Sequence, residues 1–197
     1  MSKNTIIRSF VRSDFLKWIV GWYDHFNLTK TKPSSMAKEF EPQFKLNIGE
    51  TVPDFLLHFQ DGTNTSLHQI KAEWTVFFFY PQDDSPTCTK QACNIRDHYQ
   101  DLNKLNCRIY GISPDDEMSH NKFISKYQLP FPLIADHDQN IAKSLGVWSR
   151  KKFMGKVYDG IHRSSFIFDA DKKLKGIIYP VKSAVHHEQI LELIKSK

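Results

Sequence analysis

The chain has 197 residues, with 27 Lys and Arg against 22 Asp and Glu and a formal net charge of +5. That length suits one domain plus an extension, and no run of about 18 apolar residues is present to form a membrane-crossing helix. The excess charge is local: residues 1–40 carry seven Lys/Arg against three Asp/Glu and residues 41–197 twenty against nineteen, so the larger part lacks the basic surface of a nucleic-acid binder.

Ile7, Val11, Phe15, Trp18, Trp22 and Phe26 recur at steps of four and three, the spacing of one helix face. Arg8, Arg12 and Lys17 fall on other faces. Three readings fit this amphipathic stretch over residues 1–28. It is a helix lying in a membrane surface, a presequence with no acidic residue before Asp14, or a helix packed on its own domain or on a partner chain. Packing is the commonest fate of an apolar stripe, so the segment is expected to be helical and accessory. Thr29 to Ser35, TKTKPSS, reads as a polar, proline-centred linker. Residues 1–40 are thus an extension, and residues 41–197 carry the functional domain.

Phe55 to Gln60 and Thr63 to Ser66, joined by Asp61-Gly62, predict a hairpin, and Leu67 to Ile70 a short helical turn. Trp74 to Tyr80 is an unbroken apolar run, rich in aromatic residues and ended by Pro81, the pattern of a buried strand. Beyond it, Cys88, Ala92, Ile95, Tyr99, Leu102 and Leu105 follow helical spacing, with Ser85-Pro86 as start signals. Cys88 therefore falls in the first turn of a helix that begins just past a buried strand. Unpaired amides and the positive end of a helix dipole favour a thiolate at such a place, and the thiolate is the nucleophilic form. Ser85, three residues ahead, can cap the helix or turn its hydroxyl towards an atom approaching the sulfur. Pro81 and Pro86 stiffen the loop that holds them. An arbitrary cysteine is most often an inert core thiol; this setting argues for a reactive one.

Cys93 lies five residues on, a rise of about 7.5 Å and a rotation of about 140° along a helix. The two Cα atoms would stand about 8–9 Å apart, past the limit of about 7 Å for a disulfide. A bond between them requires the first turn or more to unwind. The spacing alone leaves Cys93 equally open to a packing role on the helix. Three cysteines, two of them neighbours, do not make a secreted disulfide framework, which favours a reducing, cytoplasmic compartment.

Further along, Arg108 to Ser113 predicts a strand and Ser119 to Gln128 a helix stopped by Pro130 and Pro132. Leu133 to Asp136 predicts a short strand and Ile141 to Leu145 a helix ended by Gly146. Ser164 to Asp169 and Leu174 to Tyr179 pair as a hairpin, and the last helix carries Val185, Ile190, Leu191 and Ile194. The alternation implies an α/β sheet covered by helices. Cys107, at the start of a buried strand, is expected to be a core thiol, His98 a solvated or packing side chain, and His186 and His187 a capping or solvated pair. Zinc held by Cys88, Cys93, His98 and Cys107 fits no common ligand spacing, so no metal is expected. Asp83 and Asp84 would oppose a thiolate if close, so both are expected to face solvent.

Pro81, Ser85 and Cys88 match the Pro-x-x-x-Thr/Ser-x-x-Cys signature, and from about Leu46 onward the chain resembles the peroxiredoxins, most strongly at residues 76–97 and 160–169. SPTCTKQAC is similar to the active site of their bacterioferritin-comigratory, or Q-type, subgroup; Thr87 stands in place of its usual glycine and Gln91 in place of its common glutamate. The resemblance implies a thioredoxin-like fold, a central mixed sheet flanked by helices. It implies that Cys88 attacks a peroxide, that Cys93 resolves the sulfenic acid as an intramolecular disulfide, and that thioredoxin reduces that disulfide. It also places Arg163, in IHRSSFIFD, beside the reactive sulfur. There its charge favours a thiolate and its N–H fork steadies charge developing on the peroxide oxygens. No haem, flavin, nucleotide or metal is implied, and members are often monomers, so a monomer or weak dimer is expected. Two other readings stay open: a peroxidase resolved by an external thiol such as glutathione, with Cys93 structural, and a non-catalytic thioredoxin-like binding protein. A disulfide exchanger would carry C-x-x-C, which is absent.

Overall fold

The computed structural model describes residues 39–196, so the amphipathic stretch at 1–28 and its linker lie outside the described residues. The domain opens with a hairpin of β1 (Leu56–His58) and β2 (Asn64–Ser66). Asp61 accepts from the amide and hydroxyl of Thr63, a local bond that shapes the turn. A single 3-10 turn, Leu67–Gln69, follows, held by a reciprocal capping box between Ser66 and Gln69. Next come β3 (Trp74–Phe79), α1 (Pro86–Asp97) and α2 (Tyr99–Asn103). The helical spacing that runs on to Leu105 is thus split in two, because the backbone leaves the helical region at His98, φ −116° and ψ 14°.

Then β4 (Cys107–Ser113), α3 (Glu117–Tyr127), β5 (Leu133–Ala135) and α4 (Asn140–Ser144) alternate as the sequence predicts. The following hairpin, β6 (Trp148–Phe153) with β7 (Lys156–Ile161), has no counterpart among the sequence expectations. The chain closes with β8 (Ser164–Phe168), β9 (Leu174–Ile178) and α5 (His186–Lys195).

Five strands form one sheet in the order β5-β4-β3-β8-β9. β3, β4 and β5 are parallel, while β8 pairs antiparallel with both β3 and β9. This mixed sheet covered by helices is a thioredoxin-like fold. Its centre is β3, buried at every residue from Thr75 to Phe79, which is why the segment reads as a continuous apolar run rather than an alternating one. Side chains still part by parity. Val76 and Phe78 join Cys88, Ala92, Ile95, Ile190 and Ile194 on one face; Phe77 and Phe79 join Leu57, Ile112, Phe166 and Phe168 on the other. Gly111 allows the close packing on β4: a Cβ there would sit 2.5 Å from Leu133 Cδ2 and 2.7 Å from Phe78 Cζ.

The register of β3 and β8 matters most for function. Phe79 pairs with Ser164, so the end of β3 meets the start of β8. Arg163, one residue ahead of β8, is thereby delivered to the connection that carries Cys88.

Candidate active site

The connection from β3 to α1 is pinned before the helix begins. Tyr80 is buried and its hydroxyl donates to Asp83 Oδ1 at 2.7 Å. Asp83 is not solvent-facing, which corrects the sequence expectation. Its second oxygen lies 2.7 Å from His120 Nδ1, and its amide donates to Asp115 Oδ2 at 2.8 Å. Such partners are what a buried carboxylate requires. Asp84 does face outward, where hydrogen bonds from Lys126 and Tyr127 hold its carboxyl below the usual range. Pro81 is exposed at the start of this loop.

Ser85 is the residue that precedes α1, with extended φ −73° and ψ 147°, and Pro86 occupies the first helical position. The first intrahelical bond runs from the Thr89 amide to the Ser85 carbonyl at 2.8 Å. Cys88, at the third position, presents an amide that precedes this bond and has no helical partner. Of the two roles expected for Ser85, its side chain does not take the capping one; the hydroxyl donates to the Gln82 carbonyl at 3.2 Å.

Cys88 is 1% exposed. Arg163 Nη2 donates to its Sγ at 3.1 Å, and Arg163 Nη1 donates to Gln91 Oε1. Behind them, Gln91 Nε2 lies 3.2 Å from His186 Nδ1, and His186 Nε2 lies 2.8 Å from Ser165 Oγ. His186 is neither a cap nor solvated, which corrects a second expectation. It is fully buried, and burial pushes its imidazole down to about 3. His187 is the half-buried member of the pair. Its ring stacks on His98 at 3.5 Å, and burial lowers its pKa.

A second cation also reaches the site. Lys151 on β6 is partly buried and donates to the Ile161 carbonyl at 2.6 Å. Burial, and then the like charge of Arg163, lower its pKa, while Cys88 acts in the opposite sense. Nothing in the sequence marked Lys151, and Gln91 stood out only as a departure from the subgroup pattern. Both act through contacts made across the fold.

Cys93 is partly buried on α1, and burial raises its pKa. Cys107 is fully buried on β4 and pushed up to about 12 by burial, the inert core thiol expected. All three cysteines are free thiols. The structure therefore brings Cys88, Arg163 and the Ser85 turn together and leaves Cys93 further along the same helix. Among the described residues, no group of three His, Cys, Asp or Glu side chains is arranged to hold a metal.

Known proteins resemble this chain in sequence and in fold. The AhpC/TSA family profile covers residues 48–177. The chain belongs to the AhpC/TSA family. It is similar to peroxiredoxin Bcp of Escherichia coli, 39% identical over 150 residues, spanning 76% of this chain and 96% of that protein. Peroxiredoxin Bcp of Bacillus subtilis is 37% identical, with 76% and 96% covered. Among solved structures, a cysteine-to-serine variant of PrxQ from Xylella fastidiosa aligns with a TM-score of 0.73 at 26% identity, covering 78% of this chain and 98% of that one. The bacterioferritin comigratory protein of Xanthomonas campestris, solved for insight into its alkyl peroxide reduction activity, aligns at 0.70 with 28% identity and the same coverage.

Proposed function

We propose that this AhpC/TSA-family protein is a thiol peroxidase that reduces hydrogen peroxide and organic hydroperoxides through Cys88. The observation that carries the reading is the Arg163 guanidinium bonded to Cys88 Sγ at 3.1 Å in the first turn of α1. A guanidinium donor bonds more strongly to a thiolate than to a thiol. The sulfur attacks one peroxide oxygen; the S–O bond forms as the O–O bond breaks. The leaving oxygen takes a proton and departs as water or an alcohol, and Cys88 becomes a sulfenic acid. The alkyl peroxide reduction ascribed to the Xanthomonas relative supports organic substrates. Pro81 and Ser85 shape the loop ahead of the sulfur, and Arg163 steadies the departing oxygen.

In the second step the Cys93 sulfur attacks the sulfenic sulfur, a disulfide forms, and water leaves. The first turns of α1 unwind to let this happen. A dithiol reductant, thioredoxin in this reading, returns both cysteines to thiols by exchange. Residues 41–197 carry the reaction, as a monomer or weak dimer in the cytoplasm, and residues 1–28 of the extension serve as an accessory membrane-surface or partner contact.

Intact mass with thiol alkylation, before and after one equivalent of hydrogen peroxide, tests the scheme. Loss of two of the three free thiols, with a mass fall of about two hydrogens, is expected, and peptide mapping should join Cys88 to Cys93. Loss of one thiol with one added oxygen would transfer the second step to an external thiol. Three intact thiols would sink the peroxidase reading. Cys93→Ser should complete one round of peroxide reduction and then fail to cycle with thioredoxin.

A further inference from the structure

We propose that His186 is a positioning residue for Arg163, acting through the Gln91 amide that it holds in one orientation. The inference rests on the reactive-thiol reading of Cys88 and adds the device that keeps its cation in place. Arginine has only donors, so the Gln91 atom that Arg163 Nη1 meets is the carbonyl oxygen. The other end of that amide is then its NH2, which faces His186 Nδ1 at 3.2 Å. A donor there needs an acceptor, so Nδ1 is unprotonated and the ring hydrogen sits on Nε2. Nε2 in turn donates to Ser165 Oγ at 2.8 Å.

The bonds therefore all run in one sense. Arg163 donates to the sulfur and to Gln91, Gln91 donates to His186, and His186 donates to Ser165. Reversing any one sets like groups against each other at the next. No solvent is at hand to repair such a mismatch, because Gln91 and His186 are both 0% exposed. The Phe78 ring packs against the His186 imidazole in a T-shaped arrangement, with centroids 6.1 Å apart. The charged and titratable neighbours that face it, Arg163 and His187, both oppose a proton on it. Gln at 91 is what sets this polarity. A glutamate carboxylate there would accept from both sides and call for the opposite tautomer, with the ring hydrogen on Nδ1 and the Ser165 hydroxyl donating to Nε2. Gln91 and His186 are thus a matched pair, ninety-five positions apart in sequence.

Two isosteric substitutions separate this role from simple space filling. His186→Asn puts a carbonyl oxygen where Nδ1 stood; His186→Gln puts a methylene there and keeps a polar group near Nε2. The readout is the pH profile of Cys88 alkylation by iodoacetamide on the full chain, resolved by peptide mass. His186→Gln is expected to slow Cys88 about tenfold at neutral pH and to displace its profile upward, whereas His186→Asn stays within about twofold of the parent. Gln91→Met combined with His186→Gln should be no slower than Gln91→Met alone, the non-additivity of residues acting in series. Equal behaviour of the Asn and Gln variants, or additive losses in the double variant, would overturn the proposal. So would nitrogen NMR of the unsubstituted protein showing the His186 hydrogen on Nδ1, a measurement that needs no variant to fold. Peroxide enters neither readout, so a chain inert to peroxide would remove the peroxidase reading and leave this test standing.

Discussion

The guanidinium of Arg163 reaches two acceptors at once, Cys88 Sγ and the Gln91 carbonyl oxygen. A lysine ammonium has no planar fork to span them. Arg163→Lys is therefore expected to slow the reaction of Cys88 with hydrogen peroxide by roughly a hundredfold, read by stopped-flow fluorescence, with little change in melting temperature. His186 makes a separate prediction about acid. Its folded-state value of about 3 lies below the 6.5 of an unperturbed imidazole. Between those limits the unfolded chain binds a proton that the folded chain refuses. The stability it contributes is whole above pH 6.5 and is lost, by up to about 1.4 kcal/mol per pH unit, as pH falls towards 3. Urea midpoints across that window should decline in the parent and flatten in His186→Asn. Cys88 was legible in the sequence from a local signal, a helix start just past a buried strand, whereas Arg163 stood out only through the family resemblance, because a lone arginine ahead of a strand reads as a surface cation. His186 and Asp83 were misread because their burial comes from partners on other elements, Gln91 and Ser165 for one, Tyr80 and His120 for the other.

Among the elements, α1 would have to reconcile two demands in the proposed cycle, holding its shape and letting Cys93 reach Cys88. Several contacts clamp it. Asn94 Nδ2 donates to the Ala184 carbonyl at 2.8 Å, and the His187 amide donates to Asn94 Oδ1 at 2.9 Å. The His98 ring, at the end of α1, stacks on His187 with an interplanar angle of 7°. Arg96 Nη1 donates to the Tyr127 carbonyl at 2.8 Å. Local opening of the helix must release part of this set. Asn94→Ala removes both of its bonds named above and the 3.2 Å contact of its Oδ1 with His187 Nδ1, without touching the sulfur, Arg163 or Gln91. It should speed the second kinetic phase, disulfide formation, by about three- to tenfold, and leave the first phase within about twofold. Most strands and helices could be placed from periodicity and turn chemistry. The β6–β7 hairpin could not, because Arg150, Lys151 and Lys152 interrupt any alternation and Phe153, Val157 and Tyr158 stay exposed. A ribbon with little to bury leaves little pattern to read.

For the domain as a whole, one buried strand sets the geometry. β3 runs parallel to β4 and antiparallel to β8, and that pairing closes a gap of seventy-five positions between Cys88 and Arg163. The sequence implied an α/β sheet covered by helices, while strand order and register depend on long-range pairing that no local window contains. The charge balance fits this division, since the nearly neutral 41–197 region holds its cations in particular places rather than spread as a field. Cys107 lies within the same architecture, at 0% exposure beside Trp74 of β3 and with its thiol pushed up to about 12. Alkylation of that sulfur must wait for the sheet to come apart, so its rate should track the globally unfolded population and climb log-linearly with urea below the transition; a rate indifferent to urea would contradict this. The molecule thereby contains its own stability gauge. Isotope-coded alkylation of a single digest, even one taken from living cells, would report the unfolded fraction at Cys107 and, on the proposed mechanism, oxidant exposure at Cys88 and Cys93.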